Sequence, residues 1–169
     1  MRVYIPTTLV ALQQLVADRQ LFVVNGTAFA VTPTLREAYA EGDDDELAEV
    51  ALRDAALASL RLLAGVPPDA GLPPRRAVVV ADTGADIQVT VRPDLDDAVV
   101  RLSGPVPIDA VVAVYVDNAD AEQAVLAAVD VIDEADLGDE DAELTVGDAQ
   151  DHDLAWYAPQ ELPFLLELL

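Results

Sequence analysis

Apolar residues recur along the chain at two spacings, one helical and one strand-like, and each change of spacing marks an element. Arg2 to Pro6 is a short β run, and Thr7 or Thr8 caps a following helix whose Leu9, Leu12, Leu15 and Val16 fall at helical spacing. Thr27 to Val31 is a second apolar run. It closes on Thr32-Pro33, a capping residue followed by proline at the first helical position, so a short helix through Tyr39 is expected. Gly42 interrupts that helix, and Asp43 with Glu46 has the spacing of a capping box that opens a long helix from about Asp45 to Ala64, ended by Gly65. Within it Leu47, Val50, Ala51, Ala55, Ala58 and Leu62 form one stripe that Leu57, Leu60 and Leu63 widen, which predicts the most buried helix of the chain. Glu49 and Arg53, four apart, fall on its wet side as a surface pair.

Val66 to Pro74 holds four prolines and reads as a loop. Strand-like segments follow at Arg76 to Ala81, Ile87 to Val91 and Val99 to Leu102, parted by turn signals at Asp82 to Gly84 and Pro93 to Asp97, which suggests an antiparallel stretch. Val111 to Val116 then repeats the opening theme. Val3-Tyr4-Ile5-Pro6-Thr7-Thr8 and Val114-Tyr115-Val116-Asp117-Asn118-Ala119 both run strand, tyrosine, capping residues, helix. The second of these helices carries Ala121, Ala124, Val125, Ala128, Val129 and Ile132 on one face. From Asp133 to Asp153 the chain is acidic and poor in large apolar residues, with a brief strand expected at Leu144 to Val146. Leu154 to Ala158 is the last strand candidate, and Glu161 to Leu169 is apolar enough that it must pack on the core or on a second copy of the chain as a homodimer.

Length and charge narrow the function classes. At 169 residues the chain suits a single α+β domain over 1–169, and its mean hydropathy of +0.28 supplies enough apolar surface to fold. The 32 acids against 9 bases, all arginine, give a net charge of −23, which repels polyphosphate and anionic lipid, so neither nucleic acid nor membrane is expected as a partner. Without cysteine there are no disulfides, thiolate zinc sites or cysteine nucleophiles. Neither a basic N-terminal region followed by an apolar stretch nor an apolar run of membrane length is present, and the cytoplasm is the expected compartment.

The vocabulary of catalysis is thin. Neither Ser59, inside the apolar helix, nor Ser103, in a turn, stands in a Gly-x-Ser-x-Gly setting, and Ser59 reads as a packing residue. No glycine-rich dinucleotide fingerprint occurs, and without lysine there is no Walker A loop, so no cofactor is expected. A calcium loop centred on Gly138 fails because Ala135, Leu137 and Leu144 would occupy ligand positions. Asp139, Glu140, Asp141 and Glu143 offer the carboxylates of a looser oxygen-ligand site, but such a charge run reads more readily as a solvated acidic loop. The single histidine, His152, stands between Asp151 and Asp153, whose charges favour its protonated form if they are near it in space.

Three stretches, taken together, carry a resemblance: Met1-Arg2-Val3-Tyr4-Ile5-Pro6; Ala28-Phe29-Ala30-Val31-Thr32-Pro33-Thr34-Leu35-Arg36-Glu37-Ala38-Tyr39; and Gly138-Asp139-Glu140-Asp141-Ala142 running on to Asp151-His152-Asp153-Leu154-Ala155-Trp156-Tyr157-Ala158-Pro159-Gln160-Glu161. Over nearly its full length the chain resembles an actinobacterial family of conserved hypothetical proteins with no assigned function. The resemblance implies a high-GC source and a cytoplasmic home, and it implies no activity.

The expected fold is α+β, with a mixed sheet of split-βαβ, ferredoxin-like character and helices mainly on one face. The repeated strands Arg2 to Pro6 and Val111 to Val116 are expected parallel and adjacent, with Tyr4 and Tyr115 side by side on one face. Their ends would gather Thr7, Thr8, Asp117 and Asn118, and a neighbouring Leu154 to Ala158 would bring Asp151, His152 and Asp153 to the same place. The leading functional expectation is a non-enzymatic binding or regulatory protein with a basic protein partner, which Asp139, Glu140 and Asp141 would meet. The alternatives are a small enzyme with a carboxylate and histidine site at those strand ends, metal-assisted in one form, and a DNA mimic.

Overall fold

The computed structural model describes residues 1–66 and 71–169. Along them run β1 (Arg2–Thr7), α1 (Leu9–Asp18), β2 (Gln20–Leu21), β3 (Thr27–Phe29), α2 (Pro33–Ala38), α3 (Asp44–Ala64), β4 (Ala77–Asp82), β5 (Val89–Val91), β6 (Val99–Leu102), β7 (Val106–Pro107), β8 (Val111–Val116), α4 (Glu122–Asp136), α5 (Glu140–Gln150), β9 (Ala155–Tyr157) and α6 (Leu162–Glu167). Part of the proline-rich connection expected over Val66 to Pro74 lies outside the described residues. The helix starts follow the capping logic: Thr8, Thr32 and Asp43 each accept a first-turn N–H with their side chains, from Ala11, Leu35 and Glu46.

Seven strands form one sheet in the order β5-β6-β3-β1-β4-β8-β9, and β2 pairs with β7 in a small ribbon. The class is α+β, as the sequence indicates. Every neighbouring pair is antiparallel, rather than forming a mixed sheet. The strands β1 and β8 share a direction but are not adjacent, because β4 lies between them and pairs with both. The reason is legible in β4 itself. Ala77-Val78-Val79-Val80-Ala81 is an unbroken apolar run with every residue buried, which suits a central strand covered on both faces. Tyr4 lies opposite Val80, and Tyr115 opposite Val78, so the two tyrosines share a face but stand two strand spacings apart, roughly 10 Å.

Helices cover both faces of the sheet, not mainly one. On the first, Val3, Ile5, Val79, Val114 and Val116 pack against Leu9, Leu12 and Leu15 of α1 and Leu162 and Leu165 of α6. On the second, Tyr4, Phe29, Val78 and Val80 lie under Leu35 of α2 and Leu47, Ala51, Ala55 and Ala56 of α3, whose alanines let its backbone approach the strands closely. The far end of α3 carries Leu60 into a third cluster with Val125, Ala128 and Ile132 of α4 and Val146 and Ala149 of α5.

The segment expected as an acidic loop with a brief strand at Leu144 to Val146 is the helix α5. Gly138, at φ 97°, ends the run of α4 in the left-handed region, and the carboxylate of Asp139 then accepts the Ala142 N–H at 2.9 Å to start α5. Asp139, Glu140, Asp141 and Glu143 therefore occupy the cap and first turn of a helix, where negative charge complements the exposed N–H groups. The buried stripe of α5 consists of Ala142, Val146 and Ala149, while the larger Leu144 faces solvent.

The apolar end is committed to the core through α6. Leu162 is fully buried and Leu165 nearly so, whereas Phe164 is 69% exposed. Leu162→Ala should lower unfolding free energy in urea by about 2–5 kcal/mol, and Phe164→Ala by no more than about 0.5 kcal/mol. Equal effects of the two substitutions would contradict this packing.

Candidate functional site

Two arginines stand immediately before the central strand, and the second is the most deeply buried cation of the described residues. Arg76 is 1% exposed and Asp117, at the end of β8, is 0% exposed. The Arg76 Nη2 donates to Asp117 Oδ1 at 2.7 Å, while its Nε and its own backbone N–H donate to Oδ2 at 2.9 and 2.8 Å. The remaining partners come from the end of α5 and the segment after it. Nη1 donates to Gln150 Oε1 at 2.8 Å, and Nη2 also donates to the His152 carbonyl at 2.8 Å. One guanidinium thus ties the start of β4, the end of β8, the last residue of α5 and the approach to β9 into a single network.

The surrounding groups extend it. Arg75 donates to Glu122 Oε2 at 2.9 Å and reaches the Asp117 carbonyl at 3.4 Å. Ser59, fully buried on α3, donates to the Thr7 carbonyl at 2.7 Å and accepts the Ala77 N–H at 3.0 Å, sealing the end of the β1–β4 ladder. Gln150 donates in turn to the Arg53 carbonyl at 3.1 Å, which fastens α5 to α3. Arg53 itself turns toward the Gln150 carbonyl at 3.4 Å, and no ion pair joins it to Glu49 among the described residues.

Above this network lies an open cleft of about 540 Å³ between α3 and the approach to β9, with Glu49, Arg53, Tyr115, His152, Asp153 and Leu154 among its lining residues. Of the residues singled out from sequence, His152 and Asp153 border the cleft, and Asp117 lies beneath it with its carboxylate engaged by Arg76. Thr7 is buried beside the same strand ends, its hydroxyl without a hydrogen-bond partner. Thr8 faces elsewhere, capping α1 and lining a separate, mostly apolar cavity with Leu9, Leu63 and Leu126. Asn118 and Asp151 are exposed, Asn118 at the start of a short turn and Asp151 at the end of α5. Arg76, Gln150, Glu49 and Tyr115 were not singled out as site residues. The available signal was the tandem Arg75-Arg76 directly preceding an all-apolar strand, in a chain with only nine cations.

Chemically the cleft offers two exposed carboxylates, one imidazole and one exposed guanidinium beside apolar and aromatic walls. Ser59 is buried with its hydroxyl in use on both sides and does not line the cleft. Among the described residues no group of three or more His, Asp and Glu side chains is gathered to hold a metal ion. No helix of the described residues is long and apolar enough to cross a membrane.

An antiparallel α+β sheet with this buried pair and cleft defines the structural class, and the sequence places it in a family. The profile of a family described as being of unknown function (DUF6912) matches residues 1–166, and the chain belongs to that family. No curated protein and no solved structure matches it.

Removing one member of a buried ion pair strands the other charge, so Arg76→Met and Asp117→Asn should each lower unfolding free energy by about 3–5 kcal/mol. A loss below about 1 kcal/mol in either variant, measured in urea, would contradict the network. A second carboxylate, Asp54 on α3, is pushed up to about 6, chiefly by burial and next by the negative charge of Asp96. Its folded value lies above its unfolded one, so its contribution is present below the usual carboxylate range and is lost as pH rises through about 6. Asp54→Asn should therefore raise stability by about 1–3 kcal/mol at pH 8, with the gain vanishing near pH 4. A pH-independent effect in thermal unfolding would contradict this.

Proposed function

We propose that the chain acts as one α+β domain over 1–169, a non-enzymatic cytoplasmic binding or regulatory protein whose partner is a basic protein. The observation that carries this reading is an asymmetry of charge. After Arg101 the chain has 17 acids and no Lys or Arg. Three of those acids are taken by arginines from the other part of the chain, in the pairs Arg76–Asp117, Arg75–Glu122 and Arg61–Asp136. Hydrogen bonding to Arg61 holds the Asp136 carboxyl below the usual range. The other acids of this part have no arginine partner among the described residues, and many of them lie on the hairpin of α4 and α5. Such a field accelerates encounter with cations and repels anions.

A specific feature also supports the second reading, a small enzyme: His152 borders a cleft with Glu49, Asp153 and Arg53. That reading is weaker, because the best-placed cation, Arg76, is already engaged by Asp117. DNA mimicry loses its geometric support, since acids lie on α1, α3, α4, α5 and the loop between β5 and β6 rather than in one row.

The acidic start of α5 provides the test. Replacing Asp139, Glu140 and Asp141 by Asn, Gln and Asn keeps a good capping residue at position 139 and removes three charges. With an oligolysine peptide as probe, stopped-flow association at low salt should slow about two- to fivefold and converge with the parent protein at high salt. Equal rates at low salt would overturn the proposed role of this surface.

A further inference from the structure

The sheet ends at β9, and its outer edge has a definite hydrogen-bonding pattern. The Asp117 N–H donates to the Arg76 carbonyl, toward β4, so along β8 the main-chain groups of Tyr115 face β4 and those of Val114 and Val116 face β9. Val114 and Val116 lie opposite Tyr157 and Ala155, which turns the N–H and C=O of Trp156, and by alternation those of Leu154, outward from the sheet. Among the described residues no strand covers that edge. The next outward group, the Ala158 N–H, is closed off by the Glu161 carboxylate at 2.9 Å, so the free edge is confined to the stretch beside the cleft.

The side chains on this stretch agree with its backbone. Leu154 lines the cleft, and Trp156 lies directly opposite Tyr115, which also lines it, so both project on the α3 face. Trp156 is 56% exposed and is the only tryptophan of the chain. Glu49 and Asp153 are the exposed acids at the cleft.

Resting on the reading of a basic protein partner, we propose that β9 is the docking strand. An extended basic segment of the partner pairs with the outward groups of Leu154 and Trp156, and lays an Arg or Lys stem across the Trp156 ring toward Glu49 and Asp153. Backbone pairing supplies affinity that does not depend on sequence, while the indole and the carboxylates select a cation. A second copy of this chain is disfavoured as occupant, because two chains of −23 would have to meet edge to edge.

The test uses the full chain and an acetylated peptide alternating Arg with Val, alongside the same peptide N-methylated on alternate amides. The two probes carry equal charge, and only the first can pair as a strand. Binding of the first should shift Trp156 emission to the blue, and N-methylation should weaken affinity about thirtyfold, the effect of losing about two hydrogen bonds. Trp156→Pro, which removes an outward N–H and leaves the ladder to β8 intact, should cause a comparable loss by calorimetry, whereas Trp156→Phe should retain most of the affinity. Equal calorimetric affinity for both peptides, or binding without a change in Trp156 emission, would overturn the docking strand while leaving the basic-partner reading standing. No calorimetric binding of either peptide at low salt would overturn both. A dimer in sedimentation that Trp156→Pro dissociates would assign the edge to a second copy and overturn the proposal.

Discussion

The fold turns on a guanidinium buried where four segments meet. A charge at that depth is tolerated only if its donors are satisfied, and four of the five N–H groups of Arg76 have acceptors: both oxygens of Asp117, Gln150 Oε1 and the His152 carbonyl. Those acceptors come from segments far apart in sequence, so satisfying Arg76 fixes how they assemble. The end of α5 must come down onto the start of β4, and the chain leaving it must pass close enough for His152 to accept before it enters β9. A hydrophobic residue at the same place would fill the space without dictating which backbone carbonyl lies opposite. The ion pair therefore specifies an arrangement, and the cleft above it is a consequence of that arrangement.

The same economy of cations shapes the surface. Arginines 61, 75 and 76 reach across to Asp136, Glu122 and Asp117, so three of the nine cations are committed to acids of the C-terminal part of the chain, while Arg53 stays exposed at the cleft. The other acids of that part have no arginine partner among the described residues, and beside them runs an edge strand bearing an exposed indole. Two of the nine arginines, Arg75 and Arg76, are thereby drawn into the joint between the start of β4 and the end of β8.

Much of this is legible in the amino-acid sequence. The caps at Thr8, Thr32 and Asp43, the length of α3 and the burial of Ser59 follow from local rules that tertiary structure did not override. The strand order was not legible, because similarity between β1 and β8 says nothing of which strand lies between them; the continuous burial of β4 was the better guide. Helix α5 escaped because its buried stripe is Ala142, Val146 and Ala149, small residues that suffice against a close neighbour, while its most apolar residue, Leu144, points to solvent. The site was half visible. The Asp117 carboxylate and the His152 carbonyl meet through Arg76, whose place in the network depends on a burial that sequence spacing cannot express.

Amide hydrogen exchange of the Asp117→Asn protein addresses the central claim most directly. If the Arg76 network pins the C-terminal part of the chain to the sheet, exchange should accelerate first and most from the end of α5 through β9, over residues 149–157, while β1 and β3 keep most of their protection. Uniform acceleration across the sheet, or unchanged protection over residues 149–157, would show that the pair does not hold these segments together.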